Sequence, residues 1–215
     1  MFGLFFLSTL STFPIHLARA VSTPDDFSGI GQITVINSSD WRTADPKKDT
    51  VGCLDDHGQI SLADCGTFAR LKDYPWTLSS KIGNCSFTDK TMPTNNESWY
   101  GKSDHAWSCD PSYVAEIYDE LYTIGGFPYT FLCWGDVACY YDAKTVPSKE
   151  SPKSWLWQYR WGSQQRDITP GHTMIQLIWN KTGDLPKRED VVPAPGPRVF
   201  VNEKQTPLLQ GQGIQ

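Results

Sequence analysis

Beyond residue 20 the chain has no apolar run approaching the ~18 residues needed to span a bilayer. Its last residues, Gln210-Gly211-Gln212-Gly213-Ile214-Gln215, lack the hydrophobic tail of a GPI signal. These absences predict a protein with no membrane span, released or held non-covalently in a wall or matrix. An excess of basic charge is missing too. After residue 20 there are 18 Lys and Arg (the chain's 19 less Arg19) against 24 Asp and Glu, a net −6. Acidic chains repel phosphate backbones, so nucleic acid is not an expected partner. The signatures of metal chemistry are also absent. No C-x-x-C pair occurs, no His stands at finger spacing, and there is neither H-x-H nor H-E-x-x-H. No metal site and no cofactor are expected. A G-x-S-x-G elbow is lacking, and only His57, His105 and His172 follow residue 20, so no Ser-His-Asp triad is marked.

What is present begins with Phe2–Leu17, an apolar stretch followed by Ala18-Arg19-Ala20, which has the A-x-A form of a signal-peptidase site. The reading is a signal peptide over 1–20, a single β-rich domain over 21–182 and a disordered Pro-rich tail over 183–215. Cleavage after Ala20 leaves Val21, not histidine, at the new N-terminus, which argues against a copper site built on such a histidine. Residues 183–215 hold Pro186, Pro193, Pro195, Pro197 and Pro207 and no sustained periodicity. Lys187-Arg188 in that tail is either a dibasic processing site or a solvated charge pair.

Six cysteines follow the signal segment: Cys53, Cys65, Cys85, Cys109, Cys133 and Cys139. An even count in an oxidising compartment reads as three disulfides. Fifteen connectivities are possible, and the nearest-neighbour set (Cys53–Cys65, Cys85–Cys109, Cys133–Cys139) closes the shortest loops. Sequons stand at Asn37, Asn84, Asn96 and Asn180. Asn37, Asn96 and Asn180 are expected in solvent-facing loops, whereas at Asn84 disulfide formation by Cys85 competes with glycan transfer.

Gln32–Asn37 alternates and is β-branched, a strand pattern. Short strands are also expected within residues 50–72 around Gly58, at Trp76–Ile82, Cys85–Phe87, Phe127–Cys133, Val137–Asp142, Trp155–Trp161 and Thr173–Trp179. Residues 89–104 read as a long loop. One helix is predicted from Asp110-Pro111, a capping pair, through Tyr113, Val114, Ile117, Tyr118 and Leu121 to Gly125-Gly126. The same stretch also suits a strand. The fold class is therefore mainly β, a sandwich or barrel-like sheet with one short α-helix, stapled by disulfides.

The sharpest local pattern is Ser154–Trp161. In a strand, Trp155, Trp157, Tyr159 and Trp161 share one face, with Leu156, Gln158 and Arg160 on the other. Such a row is either a platform for sugar rings or a core face, and the core is the default for large aromatics. A Cys133–Cys139 loop would present Trp134 and Asp136, as a contact tip or simply a staple. For glycoside hydrolysis two carboxylates must face each other across a cleft. Asp55, Asp56, Asp104, Glu116, Asp119, Glu120, Asp136 and Asp142 are candidates, with no pair selected by spacing.

Three cysteine-bearing stretches carry a resemblance: Val51-Gly52-Cys53-Leu54-Asp55 through Asp64-Cys65-Gly66-Thr67-Phe68; Gly83-Asn84-Cys85-Ser86-Phe87-Thr88; and Leu121-Tyr122-Thr123-Ile124 through Cys139-Tyr140-Tyr141-Asp142. Over roughly residues 50–145 the chain resembles a group of small secreted six-cysteine proteins of filamentous fungi. The resemblance implies secretion, fungal origin and the six-cysteine framework. It implies no activity. Two functions follow as expectations: a non-catalytic, N-glycosylated extracellular protein that binds glycan, cell-wall or host components through aromatics, or a secreted glycosidase-like hydrolase with an acidic pair. The sequence favours the first.

Overall fold

The computed structural model describes residues 21–70, 76–134, 139–160 and 168–186, together with the strand backbones at 198–201 and 204–207. The signal segment, Asp136, Trp161 and Lys187-Arg188 lie outside the described residues. The chain divides into two units, residues 1–183 and 184–215.

The first unit is a curled antiparallel sheet of thirteen strands. In chain order they are β1 (Ile30–Ile36), β2 (Thr50–Leu54), β3 (Ile60–Ser61), β4 (Phe68–Arg70), β5 (Leu78–Ser80), β6 (Asn84–Ser86) and β7 (Ser108–Asp110). They continue as β8 (Leu121–Thr123), β9 (Phe131–Trp134), β10 (Tyr141–Ala143), β11 (Lys153–Ser154), β12 (Trp157–Gln158) and β13 (Thr173–Gly183). The long pair β1–β13 forms the spine, with Val35 opposite Leu177 and Ile33 opposite Trp179. β13 takes one edge of β1, and the other edge is shared: β4 pairs with its start and leads through β5 and β6 to β7, while β2 pairs with its end and leads through β3 to β11. β9 and β10 also pair with β13.

Alternation along β13 splits its side chains between two apolar layers. Ile175, Leu177 and Trp179 join Ile33, Val35, Leu54, Leu132 and Tyr141 in the main core. Ile178 turns the other way, onto Ile36, Phe131 and the paired Cys133 and Cys139. Burying both faces of β13 over residues 175–179 explains why that strand reads as an apolar run interrupted only by Gln176. Cys53 pairs with Cys65, Cys85 with Cys109 and Cys133 with Cys139, the nearest-neighbour set.

The mainly β class with one short helix stands, but the helix is elsewhere. It is α1, Pro46–Asp49, where the Asp45 carboxylate accepts from the Lys47 amide and Pro46 occupies the first turn. The helix expected from Asp110 does not form. The Asp110 carboxylate instead accepts from both the amide and the hydroxyl of Ser112, closing a side-chain turn that competes with helix nucleation. Only a 3-10 turn at Ile117–Asp119 precedes β8. The expected apolar stripe is dismantled as well: Val114, Ile117 and Tyr118 are exposed, and Leu121 enters the core from a strand.

The aromatic row is likewise not one continuous strand. β11 pairs with β3 while β12 pairs with β10, so the chain changes partner between residues 154 and 157. Regular alternation fails there: Leu156, Trp157 and Gln158 are all buried, and Trp155 and Tyr159 are half-buried. The second unit, taken by itself, contains β14 (Arg198–Val201) paired with β15 (Lys204–Pro207). The sequence reading assigned no strand to that tail, yet Val199-Phe200-Val201 has strand-forming composition.

Candidate functional site

A surface groove is built around the β2–β3 turn. The Asp55 carboxylate accepts from the amides of His57 and Gln59, and the Gly58 amide donates back to the Asp55 carbonyl. Gly58 sits at φ +87°, where a Cβ would lie 2.7 Å from Cδ1 of Trp107, so glycine alone lets the turn close over the indole. Lys153 reaches across to Asp55 at 2.7 Å, and Lys81 pairs with Asp56. Cys53–Cys65 ties the same turn to the segment after β3.

β6 and β7 supply the next wall, with Cys85 directly opposite Cys109 and bonded to it. The amides of Trp107 and Cys109 donate to the carbonyls of Leu156 (2.9 Å) and His57 (3.1 Å), so β7 is covered along its outer edge. The Tyr113 hydroxyl bridges Ser108 and Asp89.

Three depressions follow from these elements. The first, about 410 Å³, lies among Asp55, Asp56, His57, Asp64, Lys81 and Lys153. The second, about 240 Å³, is lined by His57, Gln59, Ser108, Asp110, Tyr113 and Trp155. The third, about 380 Å³, is lined by Thr88, Asp89, Lys90, Tyr113, Val114 and Glu116. His57 is shared by the first and second, Tyr113 by the second and third. The result is a polar groove with a half-buried tryptophan at its middle.

Three of its carboxyl groups, Asp56, Asp89 and Asp110, are shifted toward the ionised form. Burial pushes Asp56 up, but Lys81 and the Thr67 amide outweigh it and leave the carboxyl below its ordinary value. Burial also raises Asp89, where Tyr113 and Thr91 donate and lower it overall. Ser112 lowers Asp110. The partner phenol behaves oppositely: burial and then Asp89 push Tyr113 up to about 12. Behind the third depression, Asp119 is raised by burial, although it accepts from Ser86 at 2.5 Å.

A carboxyl whose folded value lies above the ordinary 3.8 binds its proton more tightly when folded. Its contribution is complete below 3.8 and is lost as pH rises through the folded value. Urea unfolding as a function of pH should show this decline, and Asp119→Asn should flatten it; an unchanged slope would contradict the assignment.

Of the candidate ligand residues, Trp155 alone among those described lines one of these depressions. Trp157 is buried and its indole N–H donates to the Pro93 carbonyl at 2.9 Å. Tyr159 meets the Tyr140 ring edge-on. Trp134 packs on Phe87 and donates to the Tyr118 carbonyl at 3.0 Å, so it is fastened down and not held out on a tip. Gln158 is buried, and Arg160 clamps Asp104 through two 2.7 Å bonds.

Among the histidines and carboxylates, the structure joins His172 to Asp142 at 2.8 Å and Asn95 to the same carboxylate at 2.7 Å. The assembly is buried and anchors the middle of the 89–104 loop through Asn95. That loop displays Trp99 and Tyr100, exposed and edge-to-face at 6.5 Å, which sequence reasoning did not single out. Among the described residues no His, Cys, Asp and Glu cluster could hold a metal ion, and no helix is long and apolar enough to cross a membrane.

The sequons divide by environment. Asn37 and Asn96 are exposed outside the strands. Asn180 is exposed but lies within β13, opposite Gln32, and not in the expected loop. The Asn84 amide is half-buried and donates to the Tyr113 carbonyl at 2.9 Å.

No family model, no curated protein and no solved structure matches this chain.

Proposed function

We propose that this is a secreted, N-glycosylated, non-catalytic protein that binds an extracellular or cell-wall glycan in the groove between the β2–β3 turn and β7. One observation carries the reading: the half-buried Trp155 stands beside His57, Gln59, Asp110 and Tyr113 around a cavity of about 240 Å³. An indole face stacks on the C–H face of a sugar ring, and convergent polar side chains hydrogen-bond its hydroxyls. The three disulfides are compatible with an extracellular setting. Purified protein should be retained on insoluble β-glucan or chitin, and Trp155→Ala should release it at unchanged melting temperature. A variant retained as well as the parent would remove the groove from the reading.

The glycans are assigned by access. Asn37 and Asn96 are expected to be occupied, and Asn84, whose amide is engaged, is expected to be bare. Glycopeptide mass spectrometry of the secreted protein reads this directly; an occupied Asn84 would contradict it.

The hydrolase reading needs two carboxyls facing each other across a cleft; Asp89 lines the third depression, and Asp119, raised by burial, stands behind it on Ser86 without lining it. Reducing-end release from wall glycans, abolished by Asp119→Asn and by Asp89→Asn, would establish it.

A further inference from the structure

The groove's shape and charge narrow the ligand. Three depressions in succession, joined through His57 and then Tyr113, suit a linear chain better than a compact molecule. Their walls carry Asp55, Asp56, Asp64, Asp110, Asp89 and Glu116 against Lys81, Lys153 and Lys90, an excess of three negative charges. The excess is spread along the length: three acids against two lysines in the first depression, Asp110 in the second, Asp89 and Glu116 against Lys90 in the third. Lys81 and Lys153 are already engaged by Asp56 and by Asp55 and Asp64. A surface with a net excess of one sign raises the local concentration of ligands of the other.

Resting on the glycan-binding reading, we propose that the groove takes a linear amino-sugar polymer with free, protonated amines, a poly-glucosamine, in preference to its N-acetylated or neutral counterparts. One positive charge per sugar ring repeats along such a chain as the acidic excess repeats along the groove. Trp155, at the middle depression, offers the ring-stacking surface that a sugar uses. Asp56, Asp89 and Asp110 are all lowered, so they stay ionised in the mildly acidic range where sugar amines are charged.

A basic peptide shares the charge and is disfavoured by the edge. An extended peptide docks by adding a strand to free backbone donors. Here the amides of Trp107 and Cys109, beside the groove, already donate to Leu156 and His57.

The test is direct binding of the full secreted protein to four probes at about pH 5, above the ordinary carboxylate range. They are a glucosamine hexamer, an N-acetylglucosamine hexamer, a cellulose hexamer and a lysine-rich peptide. The glucosamine hexamer is expected to bind about tenfold more tightly than either other sugar at low salt, with the advantage shrinking near 0.5 M salt as screening shortens. Asp110→Asn should weaken that probe selectively, whereas Trp155→Ala should weaken all three sugars. Equal affinity for the three hexamers would overturn the amine preference and leave glycan binding standing. Peptide binding as tight as the glucosamine hexamer would overturn the saccharide choice. Failure to bind any hexamer would remove both this inference and the glycan reading beneath it.

Discussion

Removing the Cys85–Cys109 bridge by double alanine substitution is expected to destabilise the protein most among the three disulfides, by about 3.5 kcal/mol on the loop-entropy estimate. The reason is span. Its partners are 24 residues apart, against 12 for Cys53–Cys65 and 6 for Cys133–Cys139, so its loss frees the longest loop in the unfolded chain. The same relation gives about 3 and about 2.4 kcal/mol for the other two. Against a total of ~5–15 kcal/mol for a typical domain, the first loss alone should cut secreted yield sharply. The bridge also joins β6 to β7, whose residues form the floor between two depressions, so ligand retention should fall with stability. Urea midpoints of the three double variants check the order. A Cys133–Cys139 variant that is the least stable of the three would refute the span argument.

How far the sequence could reveal this arrangement differs from element to element. β1 was legible because its alternating, β-branched residues follow a single period, and β13 because its apolar run around Gln176 suits a strand buried on both faces. The Asp110–Thr123 stretch was not, because Tyr, Val and Ile suit either structure and the decision fell to a local bond. Asp110 spends its carboxylate on Ser112, not on a helix N-terminus. Conversely, Asp45-Pro46 carries a capping pair of the same kind and does start a helix, only one turn long. The row from Trp155 to Trp161 misled for another reason. Reading alternate faces presumes a single strand with fixed neighbours, and here the chain leaves β3 for β10 after two residues. The groove was the least legible feature. Its residues come from the β2–β3 turn, β7, the loops on either side and the β11–β12 crossing, and no local spacing reports such a gathering. The sequence did flag Asp55, Asp56, His57 and Glu116, but as candidates for hydrolysis or metal chemistry. It flagged Trp155 as one of four equivalent aromatics.

That equivalence can be broken by experiment, because two tryptophans two positions apart now carry opposite expectations. Trp157 is 5% exposed and its indole N–H is held by the Pro93 carbonyl. Truncation to alanine removes its buried contacts and leaves a void the sheet cannot fully close, at ~3–5 kcal/mol, while the Pro93 carbonyl keeps the Ala106 amide as its donor. Trp155 is half-buried at a cavity wall, so Trp155→Ala opens the groove toward solvent without emptying the interior and should cost about 1 kcal/mol or less. Melting curves paired with polysaccharide pull-downs of both variants separate the roles. Trp157→Ala should melt far lower, and whatever fraction remains folded should still be retained on the polysaccharide. Trp155→Ala should melt with the parent and pass through unretained. If instead Trp157→Ala proved stable and failed to bind, the ligand surface would lie on the β12 face and the groove assignment would fall. A large loss of stability in Trp155→Ala would make that ring part of the core and leave the second depression without its stacking surface.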